Sequence, residues 1–217
     1  MTIKVFIADD HTIVREGLKQ LLSAASDLQV IGEARDGHEA LRIARESDFD
    51  VLLLDISMPG KGGTELIKQV KSEKPKLRIL VLSMHAEHQY AVRAIKSGAS
   101  GYLTKDSAST QLVSAIRKVA GGGAFISAEV AEQLAHSAMP NAEGPPHASL
   151  SDREYQVFQL LVSGKSVSDI AEDLNLSVKT VSTHKARLME KMGLANQTEL
   201  IHYAIKHRLV DDSANPG

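Results

Sequence analysis

The stretch VLLLDISMPG, residues 51–60, decides the fold of the first half of the chain. Its aliphatic run predicts a strand buried on both faces, because a strand with one solvent-facing side alternates apolar and polar residues. The carboxylate of Asp55 follows directly, and Pro59 and Gly60 predict a tight turn soon after it. In open parallel sheets, binding sites lie beyond the carboxyl ends of the strands. The stretch therefore predicts a parallel sheet with an acidic site at one edge.

Short aliphatic runs like this one alternate with helical patterns along the first part of the chain. Apolar residues recur at helical spacing between the runs, as in Ile13, Leu18, Leu21 and Leu22. Such alternation predicts right-handed crossovers and an α/β domain with a doubly wound, five-stranded parallel sheet covered on both faces. The predicted strands span residues 3–8, 28–34, 51–54, 78–83 and 101–103.

The composition is that of an ordinary water-soluble protein. The 217 residues carry a formal charge of −2, 43% of them are hydrophobic, and none is cysteine, which excludes disulfides and thiolate metal sites. The beginning, MTIKVFIADD, reaches two acids and is not typical of a signal peptide. No apolar run approaches the roughly 20 residues that span a bilayer. We therefore expect a cytoplasmic protein that has no membrane partner.

The alternating pattern ends at the glycines of AGGG, residues 120–123. The following SAEVAEQLA predicts a short helix, and MPNAEGPPHA, residues 139–148, predicts an extended linker because it is rich in Pro and Gly and has no periodicity. Beyond it the patterns are only helical. We expect a sheet domain at 1–123, a linker with a short helix at 124–148, and an all-α domain at 149–211.

Polar side chains end or follow four of the five predicted strands. Asp9 and Asp10 follow the first strand and Asp55 the third, while Ser83 ends the fourth and Lys105 follows the fifth. The carboxyl ends of parallel strands meet at one edge of the sheet, so these carboxylates would lie close together and repel one another. Mg²⁺ would relieve that repulsion, because it prefers carboxylate, water and phosphate oxygens as ligands. An aspartate beside Mg²⁺ and a lysine can attack a phosphoryl group. The pattern therefore predicts that Asp55 is a nucleophile at a magnesium site.

Each of these residues also has an ordinary role when it is taken alone. An aspartate after a strand commonly caps the following helix, and a lone lysine near a strand end is commonly solvated. The combination of acids after two strands, a hydroxyl at the end of another and a lysine after the last favours the functional interpretation.

The motifs ADD, LLLDISMPG, VLS and GASGYLTK, in this order, resemble the receiver domain of bacterial two-component response regulators over residues 1–123. The resemblance implies a flavodoxin-like fold and a phosphohistidine of a sensor histidine kinase as the phosphoryl donor. It also implies that Asp55 is the phosphoacceptor. Asp9, Asp10 and Asp55 would hold Mg²⁺ together with the backbone carbonyl of Ser57.

The same resemblance gives roles to residues beyond the acids. Lys105 would contact the phosphoryl group, Ser83 would move to hydrogen-bond it, and Tyr102 would rotate inward as Ser83 moves. One position departs from the pattern of many receivers, because Asp106 stands where a proline commonly follows the lysine. A cis bond before a non-proline residue costs about 2.5–4 kcal/mol, so a cis isomer is not assumed here.

The helical half has the spacing of a helix-turn-helix. Ser151 and Glu154 predict a capping box at its first helix, and Gly193 predicts the end of its third. Two short helices joined by a tight turn favour a second helix that enters the major groove of DNA. Residues 178–208 hold six Lys/Arg and two Asp/Glu, which favours an anionic partner.

Helical spacing divides the third and fourth helices into inner and outer faces. The predicted inner residues are Val181, Leu188 and Met192 on the third helix and Leu200, Ile201, Ala204 and Ile205 on the fourth, with His184 close to the inner face. The outer face of the third helix is basic and rich in small residues, which suits close approach to DNA. The same pattern also fits a solvated face of a four-helix bundle.

The sequence LSDREYQVFQLLVSGKSVSDIAEDLNLSVKTVSTHKARLMEKMG resembles the LuxR-type helix-turn-helix domain, with the match running to about residue 210. A receiver followed by this domain resembles the NarL/FixJ class of transcriptional regulators. The resemblance implies a DNA surface that consists of Lys179, Thr180, Ser182, Thr183, Lys185, Ala186 and Arg187.

Together these features predict a transcription regulator, and not an enzyme, that phosphorylation of Asp55 controls. Phosphorylation would shift Ser83 and Tyr102 and promote homodimers, whose recognition helices read half-sites of double-stranded DNA about 10 bp apart or a multiple of that. A Mg²⁺-dependent phosphohydrolase is one alternative, although such enzymes generally need a cap or substrate pocket and the loops here are short. A second alternative is a regulator whose helical half contacts another protein. Strongly salt-dependent binding to double-stranded DNA would count against this alternative.

Overall fold

A computed structural model of the chain describes residues 2–58, 63–84, 88–137, 145–174, 176–207 and 209. Contacts between residues divide the chain into two units, Met1–Met139 and Pro140–Gly217. Pro59 and Gly60 of the predicted turn, most of the predicted extended linker and the last residues of the predicted all-α domain lie outside the described residues.

The first unit contains the predicted sheet. Its strands are β1 Ile3–Ala8, β2 Leu28–Ala34, β3 Val51–Asp55, β4 Arg78–Ser83 and β5 Gly101–Thr104. All neighbouring pairs are parallel, in the order β2-β1-β3-β4-β5. This order is that of flavodoxin-like folds, so the predicted fold class is confirmed. Every residue of β3 is buried, as its continuous hydrophobicity predicted.

Five helices cover the two faces of the sheet. They are α1 Thr12–Ser23, α2 Gly37–Glu46, α3 Gly63–Glu73, α4 His88–Lys96 and α5 Lys105–Ala120. Leu18 and Leu22 of α1 share one core with Leu112 and Ile116 of α5 and with alternate residues of the inner strands. Strand residues that point to the other face of the sheet, such as Leu52, are fully buried as well. Burial on both faces makes the central strands a rigid base for the groups at their ends.

The residues after α5 extend the sheet domain beyond its last strand. Phe125 forms a parallel bridge with Gly101 of β5, and the helix α6, Ala128–Ser137, follows it at the place where a short helix was predicted. α6 packs against α4, within the first unit.

The second unit is helical, as predicted. A 3₁₀ turn at Pro146–Ser149 precedes α7 Asp152–Val162, α8 Val167–Asp173, α9 Val178–Met192 and α10 Gln197–Lys206. The predicted capping box of Ser151 and Glu154 is present at the start of α7, and Gly193 ends α9 in the left-handed conformation that favours glycine. No described helix is long and apolar enough to cross a membrane.

The core of the second unit confirms most of the predicted inner faces. Val181, Leu188, Met192, Leu200 and Ala204 are buried. Ile201 is only partly buried, and Ile205 is 62% exposed, so its predicted inward position is wrong. Ile205 lies about 100° around the helix from Ala204, since successive residues of an α-helix are turned by that angle. The buried stripe of the short α10 is therefore too narrow to include it.

Gly101 is a position where the fold excludes any side chain. An added Cβ would lie 2.9 Å from Leu80 Cδ1 and 2.9 Å from the Phe125 carbonyl oxygen. We expect Gly101→Ala to lower the free energy of unfolding of the first unit by about 1–3 kcal/mol, because backbone or core atoms must shift. Urea unfolding followed by circular dichroism measures this change.

Gly17→Ala is the matched control for that substitution. Gly17 lies inside α1, and an added Cβ would meet nothing within 4 Å. The Gly17→Ala substitution should raise the free energy of unfolding by roughly 0.5–1 kcal/mol, because alanine is a better helix former than glycine. Equal effects of the two substitutions would contradict the close packing at Gly101.

Candidate functional site

An acidic cluster lies at the carboxyl ends of β1 and β3. Asp9 follows β1 and Asp55 is the last residue of β3, and both side chains are 1% exposed. The Nζ atom of Lys105 lies 2.7 Å from an Oδ2 atom of each carboxylate, and its contact with Asp55 has the geometry of a hydrogen bond. The structure thus brings together three of the predicted site residues.

Backbone amides fix the other oxygen of each buried acid. The His11 N–H donates to Asp9 Oδ1 and the Ser57 N–H donates to Asp55 Oδ1, both at 2.8 Å. Asp9 therefore orders the loop before α1, and α1 begins after His11 without a side-chain cap. Because these bonds hold one oxygen of each carboxylate, the second oxygen of each is directed to the shared centre at Lys105.

Burial determines the electrostatics of this centre. It raises the pKa of Asp55 above its ordinary value, and the hydrogen bonds from Lys105 and the Ser57 N–H oppose that rise without cancelling it. Burial alone would lower the pKa of Lys105, but its contacts with Asp55 and Asp9 outweigh that effect and raise it. The site therefore holds an ionised lysine beside a carboxylate whose negative charge is incompletely compensated.

The acidic cluster also has the donor set of a cation site. Asp9, Asp10, His11 and Asp55 each offer a ligand atom, and these atoms lie within 4.8 Å of one another. Carboxylate oxygens are the ligands that Mg²⁺ prefers, and Asp10 is partly exposed, which leaves room for water. The residues present therefore fit Mg²⁺. His11 adds a nitrogen donor that the sequence reasoning missed, although it is adjacent to the acids.

Arg15 is a second contributor that the sequence reasoning missed. Its guanidinium is buried below the acidic loop, where Nη1 donates to the Asp9 carbonyl oxygen at 2.8 Å and Nη2 to Thr12 Oγ1 at 3.2 Å. Glu33 Oε2 lies 3.6 Å from Arg15 Nε. Arg15 thus fixes the backbone that carries Asp9. Its position in the helix that directly follows the acids was the available signal.

The remaining predicted residues lie on β4, on β5 and at the start of α5. Ser83 is fully buried at the end of β4, one position beyond the residue that pairs with Asp55. Tyr102 pairs with Val81 within β5 and is 9% exposed. Lys105 begins α5 directly after β5, whose final residue, Thr104, caps that helix. The peptide bonds between described residues are all trans, including the one after Lys105.

A basic surface lies on α9 of the second unit. Lys179, Ser182, Thr183, Ala186 and Arg187 are exposed, as predicted from spacing. Thr180 and Lys185 are only partly exposed, because Thr180 bonds with the capping Ser177 and Lys185 Nζ lies 3.1 Å from Gln197 Oε1 of α10. Val178, which the sequence reasoning missed, is 51% exposed beside Lys179. The exposed face thus combines cations, hydroxyls and the apolar side chains of Val178 and Ala186.

An ion pair and packed residues fix α9 to α7. Lys191 Nζ donates to Glu154 Oε2 at 2.7 Å, and Glu154 also accepts from the Ser151 N–H. His184 is half-buried, and burial lowers the pKa of its imidazole, with the cations Arg153 and Arg187 contributing. The half-buried position of His184 agrees with its predicted place close to the inner face of the helix. These contacts therefore support the basic surface of α9 from the inner side of the helix.

Comparison with known proteins places both units in families. Residues 5–117 match the family described as "Response regulator receiver domain", and residues 148–204 match "Bacterial regulatory proteins, luxR family". The chain therefore belongs to the two-component response regulators that join a receiver domain to a LuxR-type helix-turn-helix domain. This is the NarL/FixJ class.

Relatives agree with this assignment over nearly the whole chain. The chain is 38% identical to the response regulator UvrY of Escherichia coli over 95% of both proteins, and 38% identical to the response regulator GacA of Pseudomonas aeruginosa over 96% of this chain and 98% of that protein. The structure resembles RcsB of Salmonella enterica serovar Typhimurium bound to the rprA promoter with phosphomimetic BeF₃⁻. The TM-score is 0.62 and the identity 30%, over 94% of this chain and 98% of RcsB.

Asp55→Asn tests the electrostatics of the acidic cluster. Because folding raises the pKa of Asp55, the folded state disfavours the ionised form, and this destabilisation is fully present above the folded pKa. We expect the substitution to raise the free energy of unfolding at neutral pH, because it removes the buried charge of Asp55 while Lys105 keeps its contact with Asp9. The difference should shrink as the pH falls through the folded pKa of Asp55, which urea unfolding across that range measures.

Asp27→Asn is a control of opposite sign. Asp27 forms two exposed hydrogen bonds with Arg117, and these lower the pKa of its carboxyl. Its removal should lower stability slightly at neutral pH, and the loss should vanish as the pH falls through the folded pKa of Asp27. A destabilising Asp55→Asn would show that Lys105 compensates the buried charge fully.

Proposed function

We propose that this protein is a transcription regulator whose DNA binding is controlled by phosphorylation of Asp55. The position of Asp55 carries the proposal: a buried carboxylate at the end of β3 with Lys105 Nζ at 2.7 Å and a neighbouring set of cation ligands. Membership of the response regulator family supports it. We propose residues 1–123 as the receiver, 124–148 as the connection and 149–211 as the DNA-binding domain.

The proposed reaction is phosphoryl transfer to a carboxylate. An Asp55 oxygen forms a bond to phosphorus while the phosphorus–nitrogen bond of a kinase phosphohistidine breaks, and the imidazole leaves with that electron pair and takes up a proton. Lys105 stays protonated and stabilises charge on the phosphoryl oxygens. Mg²⁺, held by Asp9, Asp10, Asp55 and the Ser57 carbonyl, would neutralise further charge on the same oxygens.

A sensor histidine kinase is the phosphoryl donor in this proposal, because it is the partner that the receiver family implies.

The phosphoryl group would act through residues already near the site. Ser83, at the end of the neighbouring strand β4, would hydrogen-bond it, and Tyr102 of β5 would rotate inward as Ser83 moves. Phosphorylation adds negative charge and three strong acceptors at a rigid position, which can shift such neighbours. The proposed outcome is a change in the surfaces of the receiver that permits a homodimer.

In the DNA-binding unit, α9 would lie in the major groove. Its exposed Lys179 and Arg187 suit phosphate contacts, and Ser182, Thr183 and Ala186 are small enough to approach base edges. RcsB, the similar structure, has been solved on promoter DNA and as two dimers on DNA. The exposed Ile205 of α10 offers an apolar contact for a second copy. Since its target is chromosomal DNA, we propose that the protein works in the bacterial cytoplasm.

Intact-mass spectrometry tests the phosphoacceptor. Incubation of the full chain with Mg²⁺ and an active sensor kinase or acetyl phosphate should add one phosphoryl group that neutral hydroxylamine removes. Asp55→Asn should abolish the adduct because its amide cannot form an acyl phosphate. Asp27→Asn should leave it unchanged.

Two results would contradict this function. An adduct that persists in Asp55→Asn would place the acceptor elsewhere. Continuous hydrolysis of an external phosphate ester, such as p-nitrophenyl phosphate, that depends on Asp55 would favour the phosphohydrolase instead.

Lys179→Ala tests the DNA surface. We expect weaker binding to all DNA duplexes, because one phosphate contact is lost. The slope of log K against log salt concentration, which is negative, should become shallower by about 1. Lys206→Ala is the control, since it removes the same charge from an exposed position on α10. Fluorescence anisotropy over a series of salt concentrations measures both. Equal slopes for the two variants would mean that α9 is not the DNA surface.

A further inference from the structure

The chain covers part of its own receiver surface. We call residues 125–137 the connecting segment, and the surface formed by α4, β5 and α5 the Tyr102 face. The Tyr102 N–H donates to the Phe125 carbonyl oxygen at 2.8 Å, and the Phe125 N–H donates to the Ser100 carbonyl oxygen at 3.1 Å. The connecting segment thus adds a short parallel pairing to β5, which is otherwise the edge strand of the sheet.

The helical part of the connecting segment buries few of its described residues. α6 packs against α4, and Val130 is 3% exposed, while most other residues of α6 are exposed. The Oε1 atom of Gln133 is buried there with no hydrogen-bond partner among the described residues. A buried acceptor without a partner makes the docked state less favourable than a fully bonded one. The unpaired acceptor therefore lowers the free energy that undocking requires.

Tyr102 and the connecting segment share one space. A pocket of about 320 Å³ is lined by Tyr102, Ser107 and Gln111 of the receiver and by Ile126 and Val130 of the connecting segment. Because the two sets of side chains face the same pocket, a rotation of Tyr102 changes the surface on which the segment rests. Gly101 has no room for a side chain against Phe125, so the pairing tolerates little displacement.

We propose that the Tyr102 face is a docking surface for the connecting segment, which occupies it in the unphosphorylated protein and leaves it when Asp55 is phosphorylated. This inference rests on the proposed function, because it takes Asp55 as the phosphoacceptor and Tyr102 as the residue that responds. The occupant is the segment of this chain that already lies there. Its release exposes β5 and α4 for a second copy and frees the connection that leads to the DNA-binding unit.

Linkage gives this proposal a second consequence. If phosphorylation weakens docking, then loss of docking must strengthen binding of a phosphoryl mimic at Asp55 by the same factor. The docked segment therefore holds the receiver in its inactive state. Substitutions in α6, far from the acidic cluster in sequence, should change the affinity of that cluster for the mimic.

A nitroxide on α6 measures the release directly. The chain has no cysteine, so Ala131→Cys gives a single labelling position, on the exposed side of α6. Spin-label spectra of the full chain should show a restricted label that becomes mobile when fluoroberyllate and Mg²⁺ are added. Hydrogen exchange gives an independent measurement, since the Tyr102 amide loses its bond to Phe125 and should exchange faster.

Val130→Asp tests the linkage. The buried carboxylate should undock α6 and raise the affinity for fluoroberyllate by roughly fivefold or more. Ala131→Asp adds the same charge on the exposed side and should leave that affinity unchanged. Val130→Ala, a milder change, should act in the same direction as Val130→Asp with a smaller effect. Fluorine NMR of the bound fluoroberyllate measures the affinity in each variant.

The outcomes separate this inference from the function on which it rests. Bound fluoroberyllate with an unchanged nitroxide spectrum, or equal affinities for Val130→Asp and Ala131→Asp, would overturn the docking proposal alone. Failure of the wild-type chain to bind fluoroberyllate, or binding that survives in Asp55→Asn, would overturn the phosphoacceptor assignment as well.

Discussion

The burial of two carboxylates at one end of a parallel sheet is the constraint on which the rest of the structure depends. Asp9 and Asp55 are almost inaccessible, and the ammonium of Lys105 is the cation that lies between them. Burial raises the pKa of Asp55 despite that contact. The folded state therefore favours protonation of this carboxylate or the binding of a further cation beside it. The cluster therefore favours an added cation such as Mg²⁺.

The sheet fixes the positions of the groups in this cluster. β1, β3, β4 and β5 are held by neighbours on both sides or by packed helices, so the groups at their ends have fixed positions. Arg15 fixes the Asp9 backbone from below, and the Ser57 N–H fixes one oxygen of Asp55. In the proposed function, a change at Asp55 would therefore be passed to Ser83 and Tyr102 rather than absorbed by the acidic loops.

The two units differ in how they are stabilised and in what their surfaces present. The receiver has a large apolar core beneath a polar edge, whereas the helical unit uses caps and the Lys191–Glu154 pair to hold α9 with its basic side outward. The connecting segment belongs to the receiver by its contacts and precedes the helical unit in sequence. Its pairing with β5 holds the start of that connection against the receiver.

The sequence alone determined the local features of this protein. The aliphatic runs, strand-end acids, capping residues and α9 stripe each depend on residues close in sequence, and they predicted the five strands, the helices and the acidic cluster. Only the tertiary structure decided the shared contact of Lys105, the support from Arg15, the exposure of Ile205 and the docking of Phe125 on β5. These features depend on side-chain packing between distant segments or on the width of a buried stripe, and periodicity carries no information about either.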